Sequence, residues 1–222
     1  MRSFFIVAVV FFAGCFSVYS QVVGDFTVNG NVSYSYMIDS QDLTFSARNA
    51  DDLDGLRNGV SVELSAYYMP RPNLGWGMRY NRFSSSVSVS DIDILAPNNE
   101  VGVGDASEDV TISYIGVSQL IRNRSRRFYL SYEPTIGYVR YKNKVYALGD
   151  YNVTSKGLGI GCSLSYSYNP FQGFLVGPKI GMLYALMSDY HIEGPDGFGE
   201  KQDKGMQNFL RFNAGVMVSY TF

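Results

Sequence analysis

The 222-residue sequence has few residues for chemistry based on histidine, cysteine or metal. One histidine and two cysteines exclude a disulfide framework and leave few combinations for a zinc site or a catalytic histidine. Charged residues make up 17%, and the net charge of −2 provides no overall basic field for nucleic acid. After the N-terminal segment, no run approaches the roughly 18 consecutive apolar residues of a membrane helix. The sequence instead contains 18 Tyr, 15 Phe and 23 Gly, and this combination needs a structural explanation.

The first twenty residues have the layout of a secretory signal peptide. Arg2 supplies the positive start, residues 4–12 are almost entirely bulky and apolar, and small or polar residues lead to Ser20. We expect cleavage after Ser20, so that residues 1–20 are the signal peptide and residues 21–222 form one domain. Ala13-Gly14-Cys15 resembles a bacterial lipoprotein cleavage site, and lipidation of Cys15 remains the alternative. Both interpretations predict export.

The rest of the sequence alternates with a period of two, which is typical of β-strands with one apolar face. In the last segment every even position from Leu210 to Phe222 is apolar or aromatic, while the odd positions from Arg211 onward are mostly polar or small. The alternation predicts eight strands, at residues 26–36, 57–69, 74–83, 108–121, 128–141, 155–168, 173–187 and 208–222. The phase slips near Tyr114 and Ile115, where we expect a β-bulge.

The predicted connections alternate in length. Long connections are expected at residues 38–56, 84–107, 142–154 and 188–207, and short ones at 70–73, 122–127 and 169–172. This is typical of a meandering membrane barrel with long loops outside and short turns in the periplasm. The first, second and fourth long loops are acidic, with Glu108 counted in the second, and they suit basic partners, divalent cations or merely solvent. Near Asp51 the sequence partly resembles a calcium loop, but Ala50 and Ser61 stand where ligands are needed, so we predict no metal site.

The polar face of these strands cannot be the packed interior of a soluble barrel. It consists largely of glycine and serine, such as Gly157, Gly159 and Ser163, which are too small to fill such a core. The opposite face is apolar and carries aromatic residues toward several strand ends, as in the girdles of membrane barrels. In lipid, only a closed barrel pairs every backbone group of a β-structure. The sequence therefore predicts an all-β protein, an eight-stranded antiparallel up-and-down transmembrane β-barrel.

The last strand carries a further pattern, in which Val218, Tyr220 and Phe222 alternate and the final residue is aromatic. Together with the eight alternating segments, it resembles the small OmpA/OmpX-like outer-membrane β-barrel family of Gram-negative bacteria. The resemblance implies an outer-membrane location among lipids and lipopolysaccharide. It also implies that Val218, Tyr220 and Phe222 form a signal that the barrel-assembly machinery reads.

Five charged residues lie on the predicted inward face, namely Glu63, Arg79, Glu133, Lys179 and Arg211. Because an unpaired charge is costly in a low-dielectric interior, we expect a network of ion pairs in the lumen. Eight strands enclose a space that side chains just fill, which favours a polar, plugged lumen. The role would then be structural or surface-binding, with the four loops presented to an extracellular protein or matrix ligand. A narrow, gated pore with these charges as its filter is the alternative.

Two other features have both a functional and a plain interpretation. The cluster of Arg122, Arg124, Arg126 and Arg127 in a predicted short turn suits either anionic lipid headgroups or solvent. His191, near Ser188, Asp189 and Glu193, is a candidate base for a lipid-modifying enzyme, but a long loop does not fix the hydrogen-bond geometry that catalysis needs. We therefore expect no enzymatic activity, no catalytic residues, no cofactor and no nucleic-acid partner.

Overall fold

The computed structural model describes residues 24–39, 55–95, 101–147, 149–194, 199–202 and 207–222. The predicted signal peptide, Cys15 and the acidic stretch at Asp51 lie outside these residues. The described strands are β1 Asp25–Asp39, β2 Asn58–Arg71, β3 Leu74–Leu95, β4 Val101–Ser125, β5 Phe128–Ala147, β6 Gly149–Phe171, β7 Phe174–Glu193, β8 Gly199–Gln202 and β9 Gln207–Thr221. Residues 55–57 form one helical turn. None of the helical structure in these ranges has the length and apolar content to cross a membrane.

Eight of the nine strands close into an antiparallel ring. Strands β1 to β7 each pair with the next strand along the chain, β7 pairs with β9, and β9 pairs with β1 to complete the circle. The ninth strand, β8, has four residues and pairs with the end of β7, within the predicted fourth long loop. The predicted eight-stranded up-and-down barrel is confirmed, with β8 as an addition outside the ring.

Side-chain burial follows the predicted alternation. Along β2, for example, Ser61, Glu63 and Ser65 are buried, whereas Val62 and Leu64 between them are about half exposed. Large apolar side chains face outward in the same way on the other ring strands, and exposure reaches 68% at Leu158. A soluble protein would bury this surface, so the outward belt is the lipid-facing surface of a membrane barrel.

Aromatic pairs mark the end of the barrel that carries the short turns. Phe128 stacks on Tyr166 with ring centroids 5.4 Å apart, and Phe171 stacks on Phe174 at 4.7 Å. Tyr220 meets Phe222 edge-on at 4.8 Å. Aromatic side chains combine apolar rings with polar edges, and they concentrate where a barrel crosses from hydrocarbon to headgroups.

The short turns are tighter than the sequence suggested, at residues 72–73, 126–127 and 172–173. The predicted turn at residues 122–127 is wrong at its start, because β4 continues to Ser125. Gly173 has a φ of +80°, and a Cβ there would lie 2.7 Å from the carbonyl oxygen of Thr221. Glycine is therefore required at this turn by both backbone conformation and space.

Two predicted long loops are largely strand. β3 runs to Leu95 and β4 starts at Val101, while β5 runs to Ala147 and β6 starts at Gly149. The predicted loop bounds 84–107 and 142–154 are therefore wrong. Beyond the lipid belt the outward residues are mostly polar and the inward face carries buried apolar residues such as Tyr141 and Val145, so the strands continue with the alternation reversed.

The predicted bulge at Tyr114 and Ile115 is also wrong. β4 keeps constant register there with both β3 and β5, and the shift between β3 and β4 lies at Val89/Ile92. The inward face of this part of β4 carries Ile112 and Tyr114, both buried. The apolar residues therefore change from the inward face at Tyr114 to the outward face at Ile115, without a change in register.

Candidate functional site in the barrel lumen

Four charged side chains form a cluster inside the barrel, which we name the central cluster: Glu63, Arg79, Glu133 and Lys179. Lys179 Nζ lies 2.8 Å from Glu63 Oε1 and 2.5 Å from Glu133 Oε2. Arg79 forms a second ion pair with Glu63. Each side chain is at most 5% exposed. Two carboxylates and two cations balance, so the central cluster carries no net formal charge.

The central cluster crosses the lumen rather than running along the wall. Glu63 lies on β2, Glu133 on β5 and Lys179 on β7, and no two of these strands are neighbours in the ring. The period-two alternation aims each side chain inward, and closure of the ring brings them to one place. The lysine therefore joins three walls of the barrel through two ion pairs.

Neutral polar groups complete the surroundings of Glu133. Its carboxylate accepts hydrogen bonds from Asn29 Nδ2 at 3.4 Å, the Tyr67 hydroxyl at 3.4 Å and Ser163 Oγ at 3.3 Å. Sequence analysis did not select Asn29 or Tyr67, because only the register of the closed ring shows that they meet Glu133. A carboxylate with these donors and an ammonium is well satisfied for a buried group.

Arg211, the fifth predicted residue, stands apart from the central cluster. Its guanidinium donates to Asn81 Oδ1 and lies 5.3 Å from the centre of the Phe83 ring, with 1% of the residue exposed. Its Nε and Nη1 have no hydrogen-bond partner in the described part of the chain. The expected single network of five residues is therefore not what the structure shows. The register explains the separation, because Arg211 pairs with Met37 and Leu183, closer to the long-loop end.

The lumen beyond the central cluster, toward the long-loop end, contains a large set of buried apolar side chains, with a few buried polar ones such as Arg211 and Asn143 among them. This apolar layer consists of Met37, Leu56, Phe83, Val110, Ile112, Tyr114, Val139, Tyr141, Val153, Leu183, Ala185, Met187, Ile192 and Phe209. Each is at most 5% exposed. The lumen is thus not polar throughout, in contrast to what its glycine and serine content suggested. A charged layer and an apolar layer fill it in succession.

Two further charged residues face inward that the sequence assigned to loops or turns. Arg122 is 7% exposed, donates to Thr221 Oγ1 at 3.5 Å, and stacks 5.6 Å from the Tyr129 ring centre. Glu108 is 2% exposed and accepts a hydrogen bond from Asn143. Both lie in β4, which is longer at each end than predicted. Arg122 was assigned to the turn after this strand, and Glu108, its predicted first residue, was counted with the acidic loop.

The rest of the predicted arginine cluster is on the surface of the short-turn end. Arg124, Arg126 and Arg127 are exposed. Arg124 Nε donates to the Arg126 carbonyl oxygen at 3.2 Å, and Arg127 donates to the Tyr168 hydroxyl at 3.4 Å. Three of the four arginines are therefore available at the level of the headgroups, and Arg122 is not.

The residues of the predicted assembly pattern lie on the outer wall. Val218 and Tyr220 are each 43% exposed and Phe222 is 72% exposed. The Phe222 backbone N–H donates to the Phe26 carbonyl oxygen at 2.8 Å, which ties the last residue to β1. All three side chains thus face the lipid at the seam where the ring closes.

His191 also lies on the outside of the barrel. Its Nε2 is 3.4 Å from Glu193 Oε1, and the two side chains are 53% and 65% exposed. Solvent screens such a pair strongly. Within the described ranges, no three His, Cys, Asp or Glu side chains come together in a group that could hold a metal ion.

Comparison with known proteins gives a result for structure alone. No protein-family model matches the sequence, and no curated protein matches it. Neisserial surface protein A superposes with a TM-score of 0.53 at 16% identity, over 89% of this chain and 97% of the other. OprG from Pseudomonas aeruginosa gives 0.52 at 13% identity, over 90% and 96%. Ail of Yersinia pestis, solved with the heparin analogue sucrose octasulfate, gives 0.50 at 11% identity, over 90% and 99%.

The closed ring, the lipid-facing belt and these similarities define the class of protein. It is a transmembrane β-barrel with the fold of small outer-membrane proteins, and the predicted outer-membrane location is confirmed. More narrowly, its eight-stranded ring has the fold of the OmpA/OmpX-like barrels that the sequence resembles.

Proposed function

We propose that this protein is a closed outer-membrane barrel that stabilises the envelope and presents its long-loop end to extracellular partners. The observation that carries the proposal is the filling of the lumen. The central cluster joins opposite walls through buried ion pairs, and the apolar layer occupies the space beyond it. The remaining surface for recognition is therefore outside the lumen.

The two layers resist passage in different ways. An ion entering the central cluster has to compete with the pairs of Lys179, and breaking a buried pair costs about 3–5 kcal/mol. The apolar layer narrows the lumen with buried apolar side chains, and hydrophobic constrictions exclude water and the ions it carries. Together they support a structural role over conduction.

The hairpins beyond the lipid belt support a surface-binding role. β3 and β4 pair as far as Leu95 and Val101, well past the apolar side chains at Tyr80 and Ile115. The extended hairpin gives the long-loop end a framework on which a partner can dock. The acidic composition of the loop segments favours a basic protein surface or a matrix ligand with basic groups.

Loop deletion tests the surface-binding role. Replacing residues 90–105 and, separately, residues 190–205 with short turns should abolish binding to cells or immobilised matrix proteins while heat-modifiable gel mobility persists. A matched variant shortened at residues 146–150, in the hairpin of β5 and β6, should keep binding. Retained binding after both deletions, with the barrel folded, would exclude this role for those loops.

A narrow pore is the second candidate function, because Arg211 supplies an inward charge that has no carboxylate partner among the described residues. Such a group could attract anions along a wet path. This candidate requires unitary conductance whose size or ion selectivity changes with Arg211→Gln or Glu133→Gln. Unchanged selectivity in both variants would remove these charges from any conducting path.

We also propose that the protein is not an enzyme. The support is that His191 and Glu193 are more than half exposed, so neither is held in the water-excluded geometry that general-base chemistry requires. Mass analysis of lipid A from cells expressing His191→Ala and the unsubstituted protein should give identical species. A lipid A modification that disappears in the variant would show that this proposal is wrong.

The outward position of Val218, Tyr220 and Phe222 supports their proposed role as an assembly signal. They lie on the outer side of the closing strand, where a factor that binds the unclosed edge can reach them. We propose the barrel-assembly machinery as that factor.

A further inference from the structure

The outer wall of β3 to β6 changes character abruptly between two neighbouring rows. Tyr80, Ile115, Tyr138 and Leu158 are paired in register across the four strands, and all are exposed large apolar residues. This row is the upper edge of the lipid belt on that wall. Two residues farther along each strand, toward the long-loop end, the paired row is Arg82, Ser113, Arg140 and Lys156.

Cations continue for two more rows. The next row contains Ser84, Thr111, Lys142 and Thr154, and the one after it contains Ser86, Asp109, Lys144 and Asn152. We name the five bases the outer basic patch: Arg82, Arg140, Lys142, Lys144 and Lys156. Asp109 is the single acid in these rows, so the wall carries a clear positive excess.

A hollow of about 720 Å³ lies within this surface. Arg82, Lys142 and Lys144 line it, together with Ser84, Thr111 and one acid, Asp109, so the three bases leave it with a positive excess. Ammonium, guanidinium and hydroxyl groups are the donors that proteins use to bind phosphate oxygens. Strands are about 4.8 Å apart and alternate residues about 6.7 Å apart, so neighbouring bases can contact one phosphate group together.

The opposite wall of the barrel does not share this feature. At the same end of β1 and β9, the outward residues are Tyr36, Ile38, Asn208 and Leu210, which are uncharged. Among the described residues, the outer basic patch therefore has no counterpart on the wall formed by β1 and β9.

We propose that the outer basic patch binds the phosphate groups of lipid headgroups in the leaflet at the long-loop end. Its lowest row directly follows the apolar belt, which is the depth at which headgroup phosphates lie. Bound lipids would be held against β3 to β6, with acyl chains along Tyr138 and Leu158 and phosphates at Arg140 and Lys156. This site does not depend on whether the lumen conducts.

The test compares lipids that differ only in phosphate. The protein, folded in zwitterionic detergent, is titrated with phosphatidic acid and with the diacylglycerol of the same acyl chains, and bound lipid is measured by native mass spectrometry. Arg140→Gln/Lys142→Gln/Lys156→Gln should weaken phosphatidic acid binding by at least about tenfold, since each base near a headgroup contributes to attraction. Diacylglycerol binding should be unchanged.

Two controls separate this site from general charge effects. Arg124→Gln/Arg126→Gln/Arg127→Gln removes the same charge at the short-turn end, where the arginines can themselves meet headgroups, and should weaken phosphatidic acid binding far less than the patch variant does. Arg140→Lys/Lys142→Arg/Lys156→Arg keeps the charge and should bind as the unsubstituted protein does. Heat-modifiable mobility confirms that each variant is folded. Equal loss in both glutamine variants would overturn the proposal. So would full competition by millimolar inorganic phosphate, because the site would then bind a free anion rather than a lipid.

Discussion

Removal of the Lys179 ammonium is the perturbation that the lumen structure makes most informative. Lys179→Met keeps an unbranched chain of similar length and deletes the charge. Lys179 Nζ pairs with Glu63 Oε1 at 2.8 Å and with Glu133 Oε2 at 2.5 Å. After the substitution Glu63 still has Arg79, whereas Glu133 retains only neutral donors.

The expected cost follows from these distances. At an effective dielectric constant of about 20, each ion pair has a gross attraction of about 6 kcal/mol, most of which offsets the desolvation of the ions. Breaking one buried pair while the partner stays buried costs about 3–5 kcal/mol net. We therefore expect Lys179→Met to lower the free energy of unfolding by about 3–5 kcal/mol, mainly through Glu133.

Denaturant unfolding of the barrel in zwitterionic vesicles measures this loss, with folded protein quantified by heat-modifiable mobility. Arg71→Met is the control, because Arg71 is an exposed base at the short-turn end, outside both the lumen and the outer basic patch, and its loss should cost less than about 0.5 kcal/mol. In the double variant Lys179→Met/Glu133→Gln both members of the pair are gone, so it should be more stable than Lys179→Met alone.

The double variant is the test of the reasoning. If Lys179→Met costs less than about 1 kcal/mol, the ammonium is not a buried bridge, since exposed pairs contribute that little. If the double variant is less stable than the single one by the full cost of Glu133→Gln, the two residues are not coupled. Either result would refute the central cluster as a closed set of ion pairs.

Three other substitutions probe other parts of the barrel. Arg211→Met should lower the free energy of unfolding less than Lys179→Met does, because it removes a buried charge that has no carboxylate partner in the described chain. A loss above about 3 kcal/mol in the same assay would contradict this. Gly173→Ala should lower stability by about 1–3 kcal/mol through its positive φ, whereas a gain would show that the turn relaxes freely. Phe222→Ser should reduce the amount of folded barrel in cell membranes but leave refolding of the purified protein in detergent nearly unchanged, and equal loss in both assays would indicate a structural role alone.

Much of the fold was predictable because alternate residues of a membrane-barrel strand face lipid and lumen, and the two environments select different residue types. The inward placement of Glu63 and Lys179 followed from phase alone, without any knowledge of which strands face each other. Their contact was less accessible, since it depends on closure and register of the ring. The alternation of β9 and the aromatic residue at its end were equally direct signals.

The errors came where the apolar residues change from one face of a strand to the other. In β4 they lie on the inward face at Ile112 and Tyr114 and on the outward face at Ile115, and this change was mistaken for a slip in phase. Beyond the lipid belt the outward face is polar, so the ends of β3 and β4 were predicted as loop. Arg122 was assigned to a turn for the same reason, and Glu108, the first residue of the predicted strand, was counted with the acidic second loop. Both failures have one physical cause, which is that hydrophobic alternation reports a difference in environment rather than hydrogen bonding between strands.

The most direct test of the closed lumen is single-channel recording of the purified barrel in a planar bilayer, after heat-modifiable mobility has shown that it is folded. Because the central cluster and the apolar layer both fill the lumen, we expect no unitary conductance steps from the unsubstituted protein. Reproducible steps whose size or selectivity shifts with Glu133→Gln would contradict this account and establish the lumen charges as the filter of a pore.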